Sequence, residues 1–416
     1  MKKNSVTDPP GKKERAKLSW ELYDRAIKVI PLATQTHAKA AHPELRGVEP
    51  CFITRGLGCR VWDVDGNEYI DLRNSLGPIT LGHRFGPVER AVRRQLNNGT
   101  IFSYAHPLEV EVAELLVQAV PCAEMVRFLR TGGEAMAAAI HLARAYTGRD
   151  LVLMCGYHGW LSSVFRPGVP EAIQSVYREL PWGDIEPYRR IFQQFPGKVA
   201  AVTLACDYAQ IEKGHTFLKE LRELTSRNQA LLVFDEIVTG FRLAIGGAQE
   251  YFGVTPDLAV FAKGISNGFP LSCYLGRREI MRTVERSVVS STFGGDTLGL
   301  AAAKAVLLTY QREKVIDTIW QRGKQLHQGF AEICTRLDAP VGFYGLPPTG
   351  LLKFVHEDPS RNEQLFLRFY SEALKRGVII YNVCYPIYAH TEKDIADILS
   401  AFEDALKTMQ KEGLFD

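Results

Sequence analysis

The stretch LLVFDEIVTGFR, Leu231 to Arg242, runs four apolar residues into two adjacent carboxylates, Asp235 and Glu236, before turning through Thr239 and Gly240. A second run, FAKGISNGFPLS, delivers Lys263, 28 positions after Asp235. In LRTGGEAMAAA, residues Thr131, Gly132 and Gly133 stand where a strand-like segment meets a helix-like one. CGYHGW places Tyr157 just past another apolar run, and SSTFGGDTLGLAAAKA is a second Gly-rich turn leading into a helical pattern. Short apolar runs bounded by turn signals read as buried strands, and open α/β sheets bind ligands beyond the C-terminal ends of their strands. An amine, a carboxylate, an aromatic face and a glycine-opened helix start, which favours anions, are therefore expected at one sheet edge.

Each feature has an ordinary explanation when taken alone. A lysine leaving a strand can snorkel to water, a glycine pair can be a turn, an aromatic ring can be packing, and an aspartate can cap a helix. Together they match the needs of one cofactor, pyridoxal 5′-phosphate (PLP): a lysine for a Schiff base, an anion site for the phosphate, and a carboxylate facing the pyridine nitrogen. A negative charge beside that nitrogen raises its pKa and keeps the ring protonated. Asp235 is expected to take that place. Glu236 is expected to serve the structure through a hydrogen bond or an ion pair.

The elements that would position these groups alternate along the chain. Phe52 to Leu72 has β-rich runs around the Asp65–Gly66 turn and reads as antiparallel hairpins. Strands are expected at Met125 to Arg130, Asp150 to Cys155, Lys198 to Cys206, Ala230 to Glu236, Asp257 to Lys263 and Leu271 to Gly276. Helices are expected at Gly133 to Gly148 and His215 to Asn228. Repeated β–α alternation implies an α/β fold with a mostly parallel sheet. After about Thr309 the pattern changes to long amphipathic helices around a few short strands. The expected organisation is an N-terminal segment 1–72 packing with a small domain, a large domain 73–309, and a C-terminal small domain 310–416. The first dozen residues read as a frayed tail.

Composition limits the alternatives. The chain has 416 residues, 46% hydrophobic and 23% charged, with a net charge of +3. That near-balance gives no reason to expect a nucleic-acid or membrane partner. The basic start, MKKNSVTDPPGKKERAK, is not followed by an apolar segment of signal-peptide type. No apolar run approaches the roughly 20 residues of a membrane span. Eight cysteines are scattered without a CxxC pair. The expectation is free thiols in a cytoplasmic protein, with no metal site.

The blocks VWDVDGNEYIDL, LGH, HLARAYTGR, GYHGW, LLVFDEIVTGFR, GVTPDLAVFAKGISNGFPLS, STFGGDTLGLAAA and AHTEKDI resemble those of class III PLP-dependent aminotransferases of the fold-type I group. The nearest branch is the glutamate-1-semialdehyde aminomutase-like one, and the likeness runs from about Pro31 to the C-terminus. The resemblance implies that Lys263 is the Schiff-base lysine, Asp235 the pyridine-nitrogen partner and Tyr157 the stacking ring. It places Thr131, Gly132 and Gly133 at the phosphate. Thr292 is similar to a threonine that reaches the phosphate from a neighbouring subunit, which implies a homodimer with shared sites. Ser75 and Leu76, followed by Gly77, resemble a substrate-side segment.

Several positions depart from the family pattern. Ala205 and Cys206 stand where a Glu-Pro pair is common, and no arginine occurs between Val378 and His390, where relatives that bind an α-carboxylate often carry one. Lys39 replaces the arginine that binds the substrate carboxylate in the aminomutase branch; it keeps the charge without the bidentate fork. Gly133 replaces a usual threonine, and Asp296 and Thr297 replace Asn-Pro. The altered carboxylate-recognition positions favour an intermolecular aminotransferase acting between a small-molecule amino donor and a carbonyl acceptor. An intramolecular aminomutase and a non-catalytic binding subunit are the competing expectations.

Overall fold

A computed structural model of the chain describes residues 15–415, so the frayed tail expected at the N-terminus lies outside the described residues. The described residues divide into two compact units: one of residues 75–81 and 85–320, the other of 15–74, 82–84 and 321–415.

The unit of residues 75–81 and 85–320 is built on a seven-stranded sheet. Across it the strands run Met125–Leu129, Ser272–Gly276, Leu258–Phe261, Leu231–Asp235, Val199–Leu204, Leu151–Cys155 and Tyr177–Glu179. The pairs among the last five are parallel, while Ser272–Gly276 runs antiparallel to both its neighbours. This is the mostly parallel sheet that the β–α alternation implies. Leu151–Cys155, Val199–Leu204, Leu231–Asp235, Leu258–Phe261 and Ser272–Gly276 are buried at every residue, which requires cover on both faces and explains their continuous apolar runs. Tyr177–Glu179, at the edge, is a strand the sequence reading did not anticipate; three residues are too few to show a period.

Helix Gly132–Thr147 covers one face with small side chains. Ala135, Ala138, Ala139 and Ala143 lie in the same buried cluster as Val233, Val260 and Tyr274, and alanine there brings the helix close to the sheet. Gly148 ends the helix in the left-handed region, φ 67°, a C-terminal cap that glycine adopts without a Cβ clash. Helix Gly214–Arg227 buries Phe217, Leu218 and Leu221 along one stripe.

In the other unit, Ile53–Leu57, Arg60–Asp63 and Glu68–Asp71 form the antiparallel hairpins, and Val378–Ile379 adds in parallel, with Val378 opposite Ile70. A second sheet joins Val341–Tyr344, Gly350–Phe354 and Val383–Cys384. Phe330, Phe369 and Phe402 are fully buried. The ring of Phe402 lies 5.4 Å from that of Phe330 and 5.1 Å from that of Phe369, centroid to centroid, so three helices share one aromatic core.

Candidate active site

The parallel register brings the strand ends level. Asp235 pairs with Val260, and Leu204 pairs with both Phe234 and Cys155. Asp235, Lys263 and the loop after Cys155 therefore leave the sheet along one edge.

Asp235 is buried, and both its oxygens are engaged. Oδ1 accepts the Ile237 N–H at 3.1 Å, and Oδ2 lies 2.8 Å from His158 Nδ1. An ionised carboxylate only accepts, so Nδ1 carries the imidazole proton, and Nε2 accepts from the Thr203 hydroxyl at 3.2 Å. This chain fixes the tautomer and the orientation of a buried carboxylate. His158 and Thr203 were missed by the sequence reading, although GYHGW lies beside Tyr157 in the blocks it used.

Lys263 follows the end of Leu258–Phe261 with a φ of 48°, a conformation rare for a residue with a Cβ and typical of functional sites. Burial drives its ammonium pKa down to about 8, and the positive charge of Arg242 adds to this, against the opposing pull of Asp235. The turn is anchored behind it. Asn267 Oδ1 accepts the N–H groups of Thr80 and Leu81 at 3.0 and 2.9 Å. A side chain on Gly264 would stand 3.1 Å from Thr80 Cγ2 and 3.3 Å from Phe241 Cβ. Arg242, fully buried, donates from Nη2 to the Gly77 carbonyl at 2.9 Å. It too was absent from the sequence-based site.

Thr131 caps helix Gly132–Thr147. Its hydroxyl accepts the Glu134 N–H at 3.3 Å, and the Glu134 carboxylate accepts the Thr131 N–H in return. Ser272 Oγ donates to the Thr131 carbonyl at 2.8 Å, tying the cap to the neighbouring strand. The first N–H groups of the helix, on Gly132 and Gly133, have no acceptor within a helix. Space at this end is scarce. A Cβ on Gly132 would stand 2.5 Å from Ile237 Cδ1, and one on Gly159 would stand 2.7 Å from Gly133 Cα. The loop bearing Tyr157 and His158 is thus pressed against the helix start.

Tyr157 is 73% exposed in this chain. Thr292 is exposed on a turn whose Gly294 passes so close to the Phe128 carbonyl that a Cβ would lie 2.8 Å from it. Ser75 and Leu76 are half-buried, with φ values of 57° and 70°. Lys39 belongs to the other unit, exposed on the single turn His37–Lys39. The two family departures at 296 and 297 are used by the fold. Asp296 Oδ1 accepts the Gly299 N–H at 2.9 Å and meets Arg130 at 3.0 Å; Thr297 Oγ1 lies 3.0 Å from the carbonyls of Gly99 and Thr100. Glu236 is consumed by the fold as well. Thr239 Oγ1 donates to it, as do the N–H groups of Ala248 and Gln249 at 2.7 and 2.9 Å.

These residues fit PLP. The glycine cradle at a helix N-terminus could hold a phosphate, the buried Asp235 with its orienting histidine could face a ring nitrogen, and Lys263 supplies an amine that burial keeps readily deprotonated. Among the described residues no cluster of three or more His, Cys, Asp or Glu side chains could hold a metal, and no helix is long and apolar enough to cross a membrane.

Comparison with known proteins agrees with this fit. The family model Aminotransferase class-III matches residues 43–164 and 185–406. Glutamate-1-semialdehyde 2,1-aminomutase of Desulforamulus reducens is 33% identical over 95% of this chain and 98% of its own length. The 3-aminobutyryl-CoA aminotransferase of Cloacimonas acidaminovorans is 30% identical over 96% of this chain and 99% of its own. Among solved structures, the FumI protein of Sphingopyxis sp. MTA144, determined with PLP, superposes with a TM-score of 0.88 at 27% identity, covering 96% of this chain and 97% of that one.

Proposed function

This chain belongs to the class-III aminotransferase family, and we propose that it moves an amino group between two separate small molecules, an amine donor and a carbonyl acceptor, with Lys263 as the residue that holds the cofactor covalently. The enzyme is PLP-dependent and has the fold of its PLP-binding relatives. The observation that carries the reading is the pairing of a lysine whose ammonium is brought to about 8 by burial with a buried carboxylate close enough to act on its charge.

Bound PLP supplies a carbonyl that condenses with amines and a cationic ring that accepts the electron pair left when a proton departs. The rest falls to this chain. Lys263 Nζ, neutral in a large share of molecules near pH 8, takes the proton from the amine-bearing carbon of the substrate and returns it during the second half of transfer. Asp235 would face the ring nitrogen, and its bond to His158, which in turn accepts from Thr203, holds the carboxylate in place. The Gly132 and Gly133 N–H groups, Thr131 and the dipole of the following helix would hold the phosphate dianion. Tyr157 offers its face to the ring, and Ser75 and Leu76 line the substrate side.

The natural assembly under this reading is a homodimer in which Thr292 reaches the partner's phosphate. The exposed apolar residues Phe102, Tyr104, Val110, Val117 and Phe293 support it, as does an open groove of about 910 Å³ lined in part by Val110, Val117, Phe128 and Gly294. A mixture of Lys263→Ala and Thr292→Glu chains should regain up to about half the wild-type activity per mixed dimer, because one of two equivalent sites would then carry neither lesion. Rescue is absent if Thr292 serves its own chain. The eight free thiols support a cytoplasmic location.

The decisive experiment follows the cofactor spectrum while amines and carbonyl compounds are added singly, then reduces the protein with borohydride and maps the labelled peptide. Donor and acceptor should each shift the spectrum independently, with the label on Lys263. A label on another lysine removes Lys263 from its role. The resemblance to aminomutases favours a second reading, intramolecular transfer, and turnover of a single substrate without any added donor would establish that instead.

A further inference from the structure

Arg242 is a cation with no exposure at all, the largest side chain so fully enclosed. Taking a charge out of water is costly, so its place in the fold calls for a reason. The turn that presents it is built to a fixed shape. After strand Leu231–Asp235 the Gly240 N–H donates to the Glu236 carbonyl at 2.9 Å, and the Arg242 and Leu243 N–H groups both donate to the Thr239 carbonyl, at 3.2 and 3.0 Å. Phe241 is held at a φ of 60°, in a region that favours glycine. Its carbonyl accepts the Tyr310 hydroxyl at 2.6 Å, and the Leu243 carbonyl accepts Trp320 Nε1 at 2.8 Å. The Phe241 ring meets that of Phe261, centroids 5.7 Å apart, at the end of the strand that leads to Lys263.

From this turn Arg242 reaches the segment of residues 77–81, in the same compact unit. Its Nη2 donates to the Gly77 carbonyl at 2.9 Å, while Asn267 Oδ1 accepts the Thr80 and Leu81 N–H groups at 3.0 and 2.9 Å. The segment is therefore tied at one end to the turn after Asp235 and at the other to the turn that begins with Lys263. Gly264 lies between them. A side chain there would press on Thr80 and Phe241 together.

The same guanidinium is felt as a charge by two buried groups. Burial is the main reason that the Lys263 ammonium is disfavoured, and Arg242 works in the same direction against Asp235. Burial raises the Tyr310 phenol, and Arg242 opposes that rise. The charged groups acting on Lys263 are thus Asp235, from the strand, and Arg242, from the turn; Tyr310, on helix Thr297–Arg312, is neutral. A guanidinium keeps its proton where a buried lysine would lose it, so its charge is a constant of the site.

We propose that Arg242 is a positioning residue for Lys263: its permanent positive charge keeps the neighbouring amine in the neutral form that can take a proton, and its bond to Gly77 holds the segment 77–81 against the turn carrying that amine. This rests on the role given to Lys263 above and adds what prepares the lysine for it.

The test reads the Lys263 amine directly, in the cofactor-free enzyme. Trace acetic anhydride is competed against a free amine standard across neutral and alkaline pH, and acetylation of Lys263 is followed by peptide mapping. The wild-type midpoint should lie at about 8. Arg242→Gln keeps an N–H donor for Gly77 and loses the charge; Arg242→Met loses both. Each should raise the midpoint by about one pH unit, and Arg242→Lys should stay closer to wild type than either. Tyr310→Phe removes the bond to the Phe241 carbonyl without touching the charge, so it should lower the melting temperature and leave the midpoint in place. In the PLP-loaded enzyme the rising limb of the kcat–pH profile should move up by the same amount in Arg242→Gln, with turnover about tenfold lower near neutral pH and restored in alkaline buffer. The proposal falls if a neutral variant folds and its midpoint is unmoved or lowered, or if Tyr310→Phe moves the midpoint as far as Arg242→Gln, which would make the shift a matter of loosened packing. Because the midpoint is read without cofactor, a borohydride label on another lysine would remove Lys263 from the reaction and leave the effect of Arg242 on its amine standing.

Discussion

Asp235 and Glu236 are neighbours on one strand end, carry the same functional group and are both buried. Successive side chains of a strand point to opposite faces, and that half-turn separates their fates. On one side Asp235 meets a histidine, a single backbone N–H and the field of Lys263. Its surroundings hold it in place and leave its charge available to a ligand. On the other side Glu236 is filled by donors: Thr239, Ala248, Gln249. It closes the N-terminus of the short helix Ala248–Phe252, and Gly247 passes so near its carboxylate that a side chain there would collide. Burial pushes its pKa up to about 7 despite those donors. Two buried acids of one strand end thus differ in how many donors the fold supplies to each, and under the proposed function only Asp235 has charge to spare for a ligand.

The largest loss is expected at Lys263, whose ammonium feels the charge of Asp235. Lys263→Ala should cut turnover by about 10⁴-fold or more, since both covalent attachment and the mobile proton are lost, and should abolish borohydride labelling. Stopped-flow half-reactions measure this, and turnover within tenfold of wild type would dissolve the site. Asp235→Asn comes next. A neutral amide cannot hold the ring nitrogen protonated, so a loss of about a hundredfold in rate is expected, with melting temperature close to wild type. Near-normal kcat would remove Asp235 from the chemistry.

Glu236→Ala should behave in the opposite manner. The Thr239 hydroxyl and two backbone N–H groups would be left without acceptors, at about 1–3 kcal/mol for each group that stays buried. Urea melts should show a stability loss of about 3 kcal/mol or more, while turnover per folded molecule stays within about twofold. A Glu236 variant that folds normally but loses catalysis would reverse the assignment of the two acids.

The smallest effects are in the pH dependence of the cofactor-free enzyme. Lys263 has its folded pKa lowered to about 8 from 10.5. Between those values the unfolded chain holds more protons, so this residue makes stability rise with pH across that window. Lys263→Met should flatten the rise. Glu236 has the opposite sign. Its folded pKa of about 7 stands above 4.5, so its contribution is complete below about 4.5 and is lost as pH rises through 7. Glu236→Gln should flatten that fall. Melting profiles from pH 4 to 10 separate the two, and coincident profiles for both variants would contradict the shifts.

Much of this molecule was legible before folding was considered. Apolar runs ending in polar groups marked Asp235 and Lys263 because a strand buried on both faces can be nothing but apolar until it leaves the sheet. Glycines 132 and 133 read as a helix start open to an anion because glycines at a strand-to-helix junction leave backbone N–H groups free to point outward. The hairpins of Phe52 to Leu72 announced themselves by a two-residue turn. In contrast, the parallel strand Val378–Ile379 joins Glu68–Asp71 from the far end of the chain, and two residues hold no period from which to read a partner.

The remaining features are relations between distant residues, and those belonged to the tertiary structure alone. The chain has 10 histidines, and nothing local singles out His158 as the one whose Nδ1 reaches Asp235 across 77 positions. Glu236 could be judged unsuited to the cofactor, but its two backbone donors come from the turn that the fold brings back beneath it. Composition and periodicity determine which residues leave water and in which element they do so, because burial of apolar surface acts on each segment locally. Which polar groups then find partners, and which are left for a ligand, depends on angles and distances between segments that are set only when the chain closes on itself.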